Sequence, residues 1–447
     1  MRPLALLEAG LCGLILLAPL PFGSVAPGGR LALEILALVL TATWGAIAWR
    51  REVALPPRAA IAAVLGLLGL ALIQIVPLPQ GAVETISPRT AALRDGLAPL
   101  PEATLSLAPL ATASAVRTGA ALAGILFVTT SVVAARGAAR LALAAVVAAA
   151  FQGLYGTLVL ASGHARIWNV PKTAYLDSAT GTFVNHNHYA AFLAATLPLG
   201  LGLSIAVARR ARGRPERKRA LLEALGPEGS LAALVGLLAL TGVAGLLLSY
   251  SRAGTALGLA ALAGTAVVAL RARPVHRVAA IALAVAVAAI PLVDLGADRL
   301  AARYAASAGD LGAAGGRLDV ARDTLAMIAA LPAAGCGFGA FTWAFPAFAS
   351  PGITLHYTHA HNDALQAGAE GGLPALVLVA VLLASVARAG IRVLASAREP
   401  VATGAVFGLA ALLLHAVVDF NFHIPANAAI AAALAGLLFG ATWSAPR

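Results

Sequence analysis

Charge is scarce in this 447-residue sequence: Asp, Glu, Lys and Arg make up 11% of it, against about 25% in a soluble domain. With 60% apolar residues and a mean hydropathy of +0.88, the composition excludes an ordinary soluble globule and indicates a membrane protein. Cysteine is nearly absent. Cys12 lies in an apolar run and Cys336 in a polar loop, so no disulfide is expected, and no CxxC or Cys/His zinc spacing exists. No Walker-type loop is present, which removes ATP as the energy source. No DxD or carboxylate cluster offers a divalent-metal site. His359 and His361 stand two apart, but a third ligand at suitable spacing is missing. No cofactor and no metal are expected.

What the sequence has in abundance is long apolar runs. A helix needs roughly 18 or more such residues to cross ~30 Å of hydrocarbon. Twelve runs qualify, near 4–21, 31–49, 59–77, 115–134, 141–161, 187–208, 231–249, 253–270, 278–296, 373–391, 402–419 and 425–443. Residues 1–25 have the look of a secretory signal peptide, but eleven spans follow, so this segment reads as a retained first helix. The expected fold is an all-α polytopic integral membrane protein of about 12 transmembrane helices, with 1–447 as a single membrane domain. Ala-rich stretches such as 141–150 suit close helix packing in lipid.

The net charge of +12 raises the question of nucleic acid, and the positions of the basic residues answer it. With the N-terminus in the cytoplasm and the spans alternating, most of the 31 basic residues fall in cytoplasmic segments: Arg50, Arg51 and Arg58, Arg136 and Arg140, the run "RRARGRPERKR" at 209–219, Arg271, Arg273 and Arg277, and Arg388, Arg392 and Arg398. This is the positive-inside pattern. The basic run is a topology signal, and both termini are expected in the cytoplasm. Two outer loops are long, 78–114 and 297–372. Within the second, "GRLDVARDTLAMIAALP" (316–332) has apolar Leu318, Leu325 and Ile328 with charges between. It reads as a short amphipathic helix at the membrane surface, ended by Pro332.

Eight of the nine histidines fall on the outer face in this topology. In "GTFVNHNHYAAFL" (181–193), Asn185, His186, Asn187 and His188 stand at a helix start. One asparagine there would serve as a cap; two with two histidines suggest a polar rim. In "LLLSYSRAGTALGL" (246–259), Arg252 is held at the membrane edge between two apolar helices, a functional-site candidate by default. Arg317 opens the loop helix, and "GCGFGAF" (335–341) follows. "YTHAHNDALQAGAEGGLPAL" (357–376) supplies His359, His361, Asn362 and Asp363. "HAVVDFNFHIPANA" (415–428) adds Asp419, Asn421 and His423 on the same side. Arginines at a membrane surface bind phosphate as planar multi-donor cations, and histidine can accept a proton near neutral pH. The set fits a membrane-borne, phosphate-bearing substrate that carries its own activated bond.

These segments resemble the O-antigen ligase / O-antigen polymerase superfamily of bacterial membrane glycosyltransferases, most closely over 181–428. The ligase pattern is His, then Asn, Ser or Gln, nine residues, Gly, two residues, and Gly, Thr or Tyr. Here His361-Asn362 is followed by 363–371 and Gly372, and the last position is Ala375, a departure. The resemblance implies a largely helical fold of the GT-C kind. It implies glycan transfer from undecaprenyl diphosphate at the periplasmic face of the inner membrane, inverting and metal-independent. It matches Arg252, Arg317 and His361 to the family's functional residues.

On this expectation Arg252 and Arg317 stabilise the leaving diphosphate, and His361 accepts or aligns the proton of the incoming hydroxyl. Asn362 and Asp363 orient the imidazole or bind sugar hydroxyls. Asn185, Asn187 and His188 line the rim, and His359 is the next candidate after His361. The expected partners are the undecaprenyl-diphosphate-linked donor, a lipid A core or glycan acceptor, and membrane lipids. The alternative is a flippase for polyprenyl-linked glycans. A transporter tends to carry polar groups near the midplane, whereas the middles of these spans are almost purely Ala, Leu, Val and Gly.

Overall fold

Residues 2–94, 102–211, 227–270, 316–396 and 398–443 are described by the structure, a computed structural model. Eleven of the twelve apolar runs fold as helices, and the run 278–296 lies outside the described residues. The helices are α1 (Arg2–Leu17), α2 (Pro27–Ala48), α3 (Arg58–Gln74), the short α4 (Gln80–Ile86) and α5 (Pro88–Ala92), α6 (Pro109–Arg136) and α7 (Ala139–Ala161). There follow α8 (His186–Ala211), α9 (Pro227–Leu248), α10 (Arg252–Ala269), α11 (Arg317–Ala330), the one-turn α12 (Phe341–Ala344), α13 (Asp363–Ser396), α14 (Pro400–His415) and α15 (Pro425–Ala441). Six of them, α2, α6, α7, α8, α10 and α13, are long and apolar enough to cross a membrane. The apolar parts of α1, α3, α9, α14 and α15 are shorter. The architecture is that of an all-α membrane protein, and the expected count of twelve full spans is met only in part.

Small residues set the packing. In lipid there is little hydrophobic drive between helices, so close backbone approach matters most. Gly404 and Gly408, one turn apart on α14, leave no room for a Cβ against the carbonyl oxygens of Pro198 and Ala195 on α8. Gly436 and Gly440 on α15 meet the carbonyls of Leu126 and Thr130 on α6 in the same way. α15 is buried along nearly its whole length as a result.

Two buried carboxylates pin helices to each other. Glu8 on α1, 3% exposed, accepts from Arg136 at 2.7 Å and Arg140 at 2.6 Å, at the α6–α7 turn. Glu34 on α2 accepts from Thr118 Oγ1 at 2.6 Å, with Arg117 at 3.4 Å. A carboxylate inside an apolar bundle persists only when partnered.

The two long loops fold onto each other at one end of the bundle. Leu78–Pro79 and Glu102–Ala103 pair as a two-residue antiparallel ribbon. Leu107 N–H donates to Cys336 O at 2.9 Å. Val320, Met327, Leu331, Phe341, Phe345 and Ala360 form a small core of their own there. α11 appears where the sequence places it and stops before Pro332. Val320, Thr324, Met327 and Ile328 are buried, while Leu318 and Leu325 are 64% and 55% exposed. The buried face can include Asp323 because its carboxylate accepts from Ser350 N–H at 2.6 Å and Ser350 Oγ at 2.7 Å.

Candidate active site

α8, α10, α13 and α15 begin, and α14 ends, at the same end of the bundle. The joints are direct: Asp363 N–H donates to Ala416 O at 2.9 Å, Asn427 Nδ2 to His188 O at 3.0 Å, and the His186 ring meets Ser249 O at 2.7 Å.

Local rules explain how α13 presents its histidine. His361 sits at φ 52, a left-handed conformation that non-glycine residues seldom adopt. Such strain collects at functional sites. Asn362 then caps the helix, its Oδ1 accepting from Ala364 N–H and Leu365 N–H, both at 3.0 Å. Residues 363–371 make about two and a half turns. Gly372, at φ 66 and ψ −164, breaks the helix. The carbonyls freed by the break are taken up: Cys336 N–H donates to Ala369 O and Gly337 N–H to Glu370 O, and Leu373 N–H donates to Pro332 O. Gln74 of α3, fully buried, donates to both Ala334 O and Glu370 O. The spacing from His361 to Gly372 is thus the length of a capped helical stub. Ala375 is fully buried and lies where a Cβ on Gly371 would strike it, so this position takes a small residue.

Asp419 is the centre of the polar cluster. It is 1% exposed. Its Oδ1 accepts from Phe420 N–H at 2.9 Å and faces His188 Nε2 at 3.4 Å and His361 Nδ1 at 3.8 Å. Burial pushes the carboxyl up. His188, His361 and the Phe420 N–H outweigh it and hold the group well below the usual carboxylate range. Among the described residues, Asp419 Oδ2, His188 Nε2, His361 Nδ1 and His415 Nδ1 are buried without a formed hydrogen bond. Unsatisfied buried groups are costly, so a cluster of them calls for a bound partner such as water or a ligand. Arg317 joins the cluster by donating from Nη1 to Val418 O at 3.0 Å. Phe420 organises the rings: His359 stacks on it at 4.3 Å, and His188 and His361 meet it edge-on at 4.6 and 5.0 Å.

A second network lies beside the first. His423 Nδ1 meets Asp363 Oδ1 at 2.9 Å, and Asp363 Oδ2 accepts from Phe422 N–H. Burial disfavours the charged His423, but Asp363 outweighs it and raises the imidazole above its ordinary value. Gln366, 1% exposed, lies within hydrogen-bond distance of His359, His423 and Glu370. Burial and the neighbouring His423 push His359 down to about 3.

The sequence-named residues therefore separate by environment. His188, His361 and Arg317 meet around Asp419. His359 and Asp363 belong to the Gln366 network. Asn362 is a helix cap, and so is Asn185, whose Oδ1 accepts from Asn187 N–H at 2.8 Å. Asn187 is partly exposed. Arg252 is exposed and opens α10 just after Ser251, the cap of that helix. That turn is joined to the cluster by the Ser249–His186 contact, with Tyr175 stacked on His186 at 4.3 Å. Among the described residues no three His, Cys, Asp or Glu side chains are arranged to hold a metal ion. Gln366, Glu370 and Tyr175 were not foreseen. The signal for the first two was present: polar positions three and seven residues after Asp363, on one face of an otherwise small and apolar helix.

A family model described as O-Antigen ligase matches residues 237–380. The stretch runs from within α9 through Arg252, Arg317 and His361 into α13, and the match supports the resemblance to the O-antigen ligase / O-antigen polymerase superfamily. With the apolar helices, it points to a membrane protein that transfers glycans. No curated protein matches the chain.

Proposed function

Starting from an O-antigen ligase domain over 237–380, we propose that the protein is a membrane glycosyltransferase of the ligase or polymerase type. It moves a glycan from undecaprenyl diphosphate to an acceptor hydroxyl at the periplasmic face of the bacterial inner membrane, with both termini cytoplasmic. The observation that carries this reading is the grouping of His361, Asp419 and Arg317 at one end of the bundle.

The chemistry follows from that grouping. A carboxylate facing Nδ1 of His361 favours the tautomer with the proton on Nδ1, which leaves Nε2 free as a base. The 3.8 Å separation is of the loose kind that tightens when substrate binds. The acceptor oxygen attacks the anomeric carbon of the donor, and its proton passes to His361. The bond from that carbon to the diphosphate oxygen breaks, and the electron pair leaves with the diphosphate. Attack opposite the leaving group inverts the anomeric centre. Arg252 and Arg317 meet the growing charge on the diphosphate, so the step asks for no metal; one such donor contributes about 10²–10³ in rate. Asn187, partly exposed, lines the rim where the glycan enters, and His188, buried beneath it, supports Asp419.

The test is release of free undecaprenyl diphosphate by reconstituted protein, given an undecaprenyl-diphosphate-linked oligosaccharide, a panel of acceptors and a chelator. Acceptor-dependent release that survives the chelator and falls at least about tenfold in His361→Ala and Arg252→Ala is expected. The acceptor that works names the subtype. No release with any acceptor, together with movement of the lipid-linked glycan across the bilayer, overturns the reading in favour of a flippase.

A further inference from the structure

We infer that Gln366 is a positioning residue for the transfer reaction: its amide fixes His359 as the tautomer that carries its proton on Nε2, so that His359 offers an N–H donor to a substrate oxygen. The role in transfer rests on the function proposed above. The assignment of the tautomer does not.

The orientation of the Gln366 amide is set by the backbone. Ala360 N–H, buried, needs an acceptor and finds Gln366 Oε1 at 3.0 Å. An amide turned the other way would set two donors against each other. With Oε1 committed to Ala360, the amide nitrogen faces inward. There it meets Glu370 Oε1 at 3.0 Å, His359 Nδ1 at 3.1 Å and His423 Nε2 at 3.0 Å. None of the three can donate to it, because an amide nitrogen does not accept; its two hydrogens are shared among three acceptors. His359 Nδ1 is therefore unprotonated. Burial and the neighbouring His423 keep the ring neutral, so its single proton sits on Nε2.

The same constraint reads onto His423. Its Nδ1–H goes to Asp363 at 2.9 Å and its Nε2 faces the amide hydrogens. Asp363 favours a second proton on His423, and the Gln366 amide opposes it for as long as Ala360 N–H holds Oε1. One glutamine governs two imidazoles, and it is held by a main-chain group.

His359 has no protein partner for Nε2 among the described residues, and its ring is only partly buried. It stacks on the face of Phe420, the ring that also meets His361 and His188 edge-on. A neutral N–H donor beside the proposed base suits a phosphate or sugar oxygen of the bound substrate. It adds no charge and does not compete for the transferred proton.

The experiment is ¹⁵N NMR of histidine-labelled full-length protein in nanodiscs. The His359 resonances are identified by their loss in His359→Asn. The wild type is expected to show an unprotonated Nδ1 and a protonated Nε2. In Gln366→Glu a carboxylate oxygen faces Nδ1 and is expected to draw the proton to it. In Gln366→Met the lock is lost, and a mixture of tautomers is expected. Release of undecaprenyl diphosphate is expected to fall about 10²-fold in Gln366→Glu. A raised KM for the donor assigns the contacted oxygen to the donor; a raised KM for the acceptor assigns it to the acceptor. A protonated Nδ1 on His359 in the wild type overturns the inference without any variant. So does an unchanged tautomer in both Gln366 variants. If the wild type shows the expected tautomer but releases nothing with any acceptor, the transferase reading fails while the positioning of His359 stands.

Discussion

Arg317 Nη1 donates to the main-chain carbonyl of Val418 at 3.0 Å, which ties the first turn of α11 to the residue before Asp419. The guanidinium is exposed and keeps further donors for a ligand. This arrangement distinguishes its two chemistries, since one bond to a carbonyl is within reach of a lysine and a planar fork around a phosphate is not. Arg317→Lys is therefore expected to keep the fold and lose about 10²–10³ in transfer rate, close to the loss in Arg317→Ala. Full activity in the lysine variant, measured by undecaprenyl diphosphate release, would show that a simple positive charge suffices.

Asp419 lies outside the matched 237–380 segment yet forms the centre of the cluster. Asp419→Asn removes the charge that orients His361 and leaves the shape. The expected loss is about 10²–10⁴ in rate, with donor binding much less affected. The variant also tests a pH claim. The folded-state pKa of Asp419 lies below its ordinary 3.8. Its ionised form therefore stabilises the fold above about pH 4, and that contribution is lost as the pH falls toward the lower folded-state value. Thermal unfolding in detergent between about pH 3 and 6 is expected to show a weaker acid dependence in Asp419→Asn than in the wild type.

Helix positions were legible in the sequence because the length of an apolar run is what a membrane selects. That His188, His361, Arg317 and Asp419 share one end of the bundle was legible because the alternation of apolar runs places all four on one side. The burial of Asp323 in α11 was not legible, because Ser350, which supplies the carboxylate's hydrogen bonds, lies 27 residues later. Nor was the difference between a cap and a ligand. Asn185 and Asn362 carry the residue type a sugar site wants, and each spends its side-chain oxygen on the start of its own helix. Gln366 was hidden for the opposite reason. It reads as a helix position of no consequence until Ala360, His359, Glu370 and His423 are brought around it from 359–370 and 423.

Asn362 offers a direct separation of those two roles. If it serves as the cap of α13, Asn362→Asp and Asn362→Ser retain stability and most activity, because both side chains accept from the same backbone N–H groups. Asn362→Ala then loses about 0.5–2 kcal/mol of stability. A sugar-binding role predicts instead that the serine and aspartate variants are stable but raise the acceptor KM. Thermal unfolding and acceptor titration of the three variants decide between them.

Gly372 carries the break on which the site is hung. At φ 66 an L-residue is strained, and a Cβ there would lie 2.5 Å from Pro332 O and 3.0 Å from Ala334 N. Neither neighbour can move easily. Both belong to the 332–337 segment whose N–H groups satisfy the freed carbonyls of Ala369 and Glu370 and whose Ala334 O is held by Gln74. Gly372→Ala is therefore expected to cost more than the roughly 1–3 kcal/mol of backbone strain alone, because it pushes the loop and the stub 363–371 apart. The stub carries Asn362 at its start and His361 just before it, so activity should fall with stability. Gly371→Ala is the informative partner. Its Cβ would meet the Ala375 and Phe338 side chains rather than backbone. The Ala375 Cβ, the nearer of the two, moves only with its main chain, so Gly371→Ala is also expected to destabilise, through crowding alone and without strain in φ. A Gly372→Ala variant as stable and as active as the wild type would show that the helix tolerates continuity at this point and that the break does not set the position of His361.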